Sequence, residues 1–134
     1  MSERVFVTGY GAVSPVGLTS KSTWENLCDG VSGIDHITSF DTEGYETTFA
    51  AEITDFDTDQ YVGRKQARRM DRFVQLAAAS SLEAIENSGL KINSSNCNRI
   101  SEMIASGIGG IITLSNQIGV LENRGPSRVS PFLV

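Results

Sequence analysis

Between positions 70 and 85, Met70, Phe73, Val74, Ala77, Ser81, Ala84 and Ile85 recur at helical spacing, and Asn87-Ser88-Gly89 closes the run. That spacing lines them along one face of a helix, so the segment is predicted to be a long helix that must bury this face against another layer. The rest of the chain has to supply that layer. Val5-Phe6-Val7-Thr8, a β-branched and aromatic run ending at Gly9-Tyr10-Gly11, reads as a buried strand entering a turn. Residues 49–53 and 100–106 read as further strands. Two more helices are predicted: one through Trp24, Leu27, Cys28 and Val31 with Thr19 or Ser20 as its cap, the other through Leu114, Ile118 and Leu121. Strands alternating with helices predict an α/β layered fold.

At 134 residues the chain fits one domain. No apolar run approaches membrane-spanning length, and Met1-Ser2-Glu3-Arg4 puts charges where a secretory leader needs a basic and then an apolar stretch; no membrane association and a cytoplasmic location are expected. Cys28 and Cys97 lack CxxC spacing, which argues against a disulfide framework and a zinc site; no metal is expected. A net charge of −5 disfavours nucleic acid, whose phosphates need an excess of Lys and Arg. Yet five of the eleven basic residues, Arg64, Lys65, Arg68, Arg69 and Arg72, lie within nine positions.

Several short patterns imitate functional motifs and fail on chemistry. Gly9-x-Gly11 resembles the start of a dinucleotide fingerprint, but Ser14-Pro15 follows where a third glycine and a helix start belong. Ser106-Gly107 invites comparison with a nucleophile elbow, but residue 104 is Ile and no histidine lies downstream. Asp55-x-Asp57-x-Asp59 copies three positions of a calcium loop, with Gln60 where Gly is needed and Gln66 where the bidentate Glu belongs. Cys28 lies on an apolar helix face, Cys97 in an Asn/Ser-rich loop, and His36, the one histidine, has no placed partner.

The basic cluster has more geometry. Arg64, Arg68 and Arg72 repeat at i+4 beside Lys65 and Arg69, so on one continuous helix all five project from the side opposite Met70, Phe73 and Val74. Only Asp71 interrupts, and the stripe repels itself unless something acidic docks there.

Four ordered segments carry a resemblance: Val7-Thr8-Gly9-Tyr10-Gly11-Ala12-Val13-Ser14-Pro15-Val16-Gly17, Arg64-Lys65-Gln66-Ala67-Arg68-Arg69-Met70-Asp71, Ala105-Ser106-Gly107-Ile108-Gly109-Gly110 and Gly125-Pro126-Ser127-Arg128-Val129-Ser130-Pro131-Phe132. Together they resemble the N-terminal part of the elongating β-ketoacyl-acyl-carrier-protein synthases, type II condensing enzymes of the thiolase superfamily. The resemblance implies a thiolase-like layered α/β fold, a mixed sheet with packed helices, of which residues 1–134 form the N-terminal portion of a domain incomplete at its C-terminus. It implies an acyltransferase that condenses an acyl thioester with malonyl-acyl carrier protein by decarboxylative Claisen chemistry in fatty-acid or polyketide synthesis. Lys65, Arg68, Arg69 and Arg128 become contacts for acyl carrier protein; Ile108, Phe132 and Leu133 become acyl-pocket residues. Phe132 and Leu133 also resemble a segment reaching a homodimer interface. The family uses no separate cofactor, the substrate riding on the carrier's phosphopantetheine. Ser127 stands where a basic residue is frequent and Leu133 where Phe is frequent, which weakens docking and widens the pocket, respectively. The family's nucleophilic cysteine and two histidines match no position here, so the chain alone is expected to be inactive. The alternative is a non-catalytic module that binds acyl carrier protein.

Overall fold

The structure, a computed structural model, describes residues 4–133; residues 1–3, part of the reading against a leader, and Val134 of the apolar end lie outside them. The chain divides into two compact units, Met1–Asp57 with Ala79–Leu90, and Thr58–Ala78 with Lys91–Val134.

In the first unit, α1 (Ser20–Cys28) starts at Thr19, whose hydroxyl and backbone exchange hydrogen bonds with Ser22 in a capping box. An antiparallel pair, β1 (Ile34–His36) and β2 (Phe49–Ala51), runs in register from Ile34 opposite Ala51 to His36 opposite Phe49. Sequence reasoning foresaw β2 but not its partner. Glu52, just past β2, accepts hydrogen bonds from the Thr38 N–H and hydroxyl at 2.7 and 2.8 Å and from the Ser39 N–H at 3.2 Å, closing the loop between the strands. The predicted long helix is α3 (Arg72–Ser88), which contributes residues 79–88 to this unit.

Residues 5–8 are not a strand. Val5 and Val7 are 95% and 88% exposed, and the one ladder among the described residues is β1 with β2. A strand is defined by its partner's backbone, so a β-prone run without one stays merely extended. Gly9-x-Gly11 nonetheless has a clear purpose. A Cβ at Gly9 would collide with the Ala84 carbonyl and Ser88, and one at Gly11 with the Ser80 carbonyl and Glu83. The two glycines let this segment lie directly on α3.

In the second unit, α2 (Arg64–Ala67) is a single turn, and the chain then bends through Arg68, Arg69 and Met70 before α3 begins at Arg72. The basic residues therefore do not share one continuous helix, as the i+4 pattern predicted. Gln75 holds the bend: its amide nitrogen donates to the carbonyls of Ala67 and Met70 at 3.0 and 3.2 Å, and its oxygen accepts from the Thr58 hydroxyl at 2.9 Å. α4 (Ile111–Arg124) matches the predicted last helix, but residues 100–106 are irregular, with Met103 96% exposed, for the reason given for residues 5–8.

The described residues thus give a mixed α/β set of elements, helices with one small antiparallel sheet that lies in the first unit. The core is thin. Among the described residues only Phe56 and Ala79, both in the first unit, are buried apolar side chains.

Candidate functional site

The expected site residues all belong to the second unit. Lys65 lies in the single turn of α2, Arg68 caps its C-terminal end, and Arg69 follows in the bend; all three are exposed. Arg128 is exposed in a short 3-10 turn, Pro126–Arg128, just after α4. Interrupting the helix at Arg68 spreads the guanidinium groups over a bend instead of stacking them on one face, which reduces the repulsion a straight stripe would carry.

Ile108 sits on the glycine turn before α4 and is 77% exposed. Phe132 and Leu133 follow a turn tied back to α4 by the Ser130 N–H, which donates to the Gln117 side chain at 2.6 Å. These three meet at one open cavity of about 380 Å³, whose wall also includes Arg69, Asp71 and Phe73. The Arg69 guanidinium lies over the Phe132 ring, 4.7 Å from its centroid, so charged and apolar parts of the site adjoin at this residue pair. Arg68, Lys65 and Arg128 do not line the cavity.

Asp71 is the residue the sequence reading passed over. Its Oδ2 accepts the Thr113 N–H of α4 at 2.7 Å and its Oδ1 accepts the Phe73 N–H of α3 at 3.4 Å. Burial pushes its carboxyl up, but hydrogen bonds from the Thr113 side chain and from the Thr113, Phe73 and Arg72 amides outweigh that and hold it below the usual range. Asp directly before a helix is a cap signal that sequence offers; its second partner, 42 residues away, leaves no local trace.

A larger cavity of about 600 Å³ in the first unit includes Tyr10, Trp24, Leu27 and Glu83 and none of the expected site residues. Glu83 is fully engaged there by Ala12 and Ser20. Cys28 and Cys97 are free and exposed, and His36 is exposed in β1. Among the described residues no group of three His, Cys, Asp or Glu is arranged to hold a metal ion. No helix among them is long and apolar enough to cross a membrane.

The model of the β-ketoacyl synthase N-terminal domain matches residues 2–134. The chain belongs to the β-ketoacyl synthase family. Within that family it is 46% identical over 133 residues to a 3-oxoacyl-[acyl-carrier-protein] synthase 2 of Staphylococcus aureus (strain COL), covering 99% of this chain and 32% of that protein. It is 46% identical over 131 residues to the protein of the same name from Vibrio cholerae serotype O1, again covering 32% of it. A solved structure described as the ishigamide ketosynthase/chain length factor superposes with a TM-score of 0.79 at 26% identity, over 99% of this chain and 33% of that one. This β-ketoacyl synthase chain thus spans about a third of the length of the relatives it matches.

Proposed function

We propose that this chain supplies the carrier-docking face and one wall of the acyl pocket of a 3-oxoacyl-[acyl-carrier-protein] synthase. The observation that carries this reading is the cavity at which Ile108, Phe132 and Leu133 meet Arg69. An apolar wall bordered by a guanidinium suits a ligand that is an alkyl chain at one end and an anionic carrier at the other. Arg68 and Lys65 on the bend, with Arg128 beyond α4, extend the positive charge available to an acidic partner.

In the full reaction a cysteine takes the acyl group as a thioester and releases the first carrier's thiol, malonyl-carrier loses carbon dioxide, and the resulting enolate attacks the acyl-cysteine and expels the cysteine thiolate. The contribution proposed for these residues is recognition and chain accommodation, in fatty-acid or polyketide synthesis, within a cytoplasmic homodimer that Phe132 and Leu133 help to form. No separate cofactor is needed, because phosphopantetheine on the carrier delivers the substrate. Gly9 and Gly11 are accounted for by their contact with α3, so a nucleotide role is not required of them.

The test is direct titration of the chain with acyl carrier protein over a series of salt concentrations. Affinity should fall as salt rises, and the double reversal Arg68→Glu, Arg69→Glu should weaken it by more than about tenfold. Salt-insensitive binding, or binding unchanged by the reversal, refutes the docking face.

A further inference from the structure

α4 begins badly by itself. Gly110 occupies its N-cap and offers no side-chain acceptor to the first-turn amides, and the first turn holds no acid. Those amides are obligatory donors that need partners from outside the helix. The partner comes from the start of another helix. Asp71 stands immediately before α3, where its main-chain carbonyl accepts from Val74 and Gln75 at 3.0 and 3.2 Å and its Oδ1 accepts from Phe73. Its other carboxylate oxygen reaches Thr113, in the first turn of α4, at 2.7 Å.

We propose that Asp71 is a positioning residue whose single carboxylate caps α3 and α4 together, thereby fixing the turn that carries Ile108 against the bend that carries Arg68 and Arg69. Gly110 is shaped for this contact. A Cβ there would stand 3.2 Å from Asp71 Oδ2 and 3.4 Å from its Cβ and Cγ, so any side chain crowds the carboxylate that caps the helix. Both Asp71 and Gly110 also border the cavity. The bridge therefore bears on the shape of the cavity that Ile108 and the Arg69–Phe132 pair line. What the bridge is for rests on the acyl-pocket reading; the bridge itself does not.

The experiment compares the full chain with Asp71→Ala, Asp71→Asn and Ile108→Trp variants in two measurements: amide resonances by NMR and binding of the fluorescent fatty acid cis-parinaric acid. Asp71→Ala should shift the Phe73 and Thr113 amides together and weaken probe binding by roughly fivefold, the loss expected from one helix cap. Asp71→Asn keeps one acceptor oxygen, so it should preserve one of the two amide shifts and fall between wild type and Ala in probe affinity. It also covers the case in which the alanine variant does not fold. Ile108→Trp should block the probe and leave both amides in place. If Asp71→Ala moves only Phe73, if Asp71→Asn moves neither amide, or if replacing Asp71 leaves probe affinity intact while Ile108→Trp abolishes it, the positioning role is overturned. If wild type ignores the probe, or Ile108→Trp has no effect on it, the acyl-pocket reading fails, and the Thr113 amide alone then decides the bridge.

Discussion

Glu83→Ala should markedly destabilise the first unit. The Glu83 carboxylate accepts the Ala12 N–H at 2.8 Å, the Ser20 N–H at 2.8 and 3.1 Å through its two oxygens, and the Ser20 hydroxyl at 2.7 Å. Ser20 is the first residue of α1, a helix with no acid in its own first turn, so Glu83 supplies the negative charge that its N-terminal dipole favours. Hydrogen bonds to a charged group are worth about 1.5–3 kcal/mol each when sheltered, and about 1–1.5 kcal/mol where water can replace the acceptor. Glu83 is only partly buried, so loss of two amide partners should cost about 2–3 kcal/mol. For a chain of this length that lowers the melting temperature by roughly 6–15 °C. Glu83→Gln retains one acceptor oxygen and should lose roughly half as much. Burial raises the Glu83 carboxyl, but bonds from the Ser20 hydroxyl and the Ala12 and Ser20 amides outweigh it, so the net shift is downward. A carboxyl lowered on folding stabilises the chain above its unfolded pKa, and that contribution disappears as pH falls through the folded value. The gap between wild type and Glu83→Ala, followed by circular dichroism melts, should therefore close in acid. A variant melting within about 1 °C of wild type at neutral pH, or a gap that persists in acid, refutes the reasoning.

Gly11→Ala should destabilise by at least about 1–3 kcal/mol, because its methyl would be driven into the Ser80 carbonyl on α3; urea titration measures this, and a neutral result would mean the segment does not lie on the helix. Glu52 has its carboxyl lowered to about 2, by the Ser39 hydroxyl first and then the Thr38 amide and hydroxyl; the loop between β1 and β2 should loosen only between the ordinary glutamate pKa and about 2, read by amide shifts of Thr38 and Ser39, and Glu52→Gln should abolish that transition. Arg128→Ala should weaken carrier binding and flatten its salt dependence without moving the Asp71 or Phe73 resonances, and an unchanged salt slope would remove Arg128 from the docking face. With Val5, Phe6, Val7 and Met103 all more than two-thirds exposed, the isolated chain should associate at raised concentration, which light scattering detects; a monodisperse monomer with a cooperative melt would count against it.

Features legible in the sequence were those set by neighbours along the chain. The spacing of Phe73, Val74, Ala77, Ala84 and Ile85 gave α3 to within a residue or two, and Thr19 announced α1, because helical order depends on contacts three and four residues apart. The strand readings at 5–8 and 100–106 did not hold, although their composition is as β-prone as that of β2. A ladder needs a second backbone at the right height, and no local pattern reports whether one is there. The basic residues were legible as a cluster but not as a bend. The i+4 count on Arg64, Arg68 and Arg72 treated the segment as one helix, whereas an Asp at position 71 is a better helix start than a helix interior. Ile108 and Phe132 came from resemblance, and nothing in their spacing predicts that they meet at one cavity.

Two acids have a task that the net charge of −5 does not reveal: Asp71 and Glu83, placed in different units, are each occupied by an amide at the start of a helix other than the one they precede or belong to. A carboxylate at a helix N-terminus satisfies donors that have no partner within the helix and complements the dipole there, so its value lies in being immobile. The cations have the opposite requirement. Arg68 and Lys65 remain exposed, and Arg69 rests on the Phe132 ring through a contact worth only about 0.5–1 kcal/mol at an exposed site, weak enough for a carboxylate to compete for it. Asp71 and Glu83 are thus committed to the scaffold, while Lys65 and Arg68 stay available to a partner. The same division predicts that neutralising Asp71 or Glu83 shifts stability far more than carrier affinity per unit charge, and that neutralising Arg68 does the reverse; paired urea and binding titrations on the three variants would expose any exchange of roles.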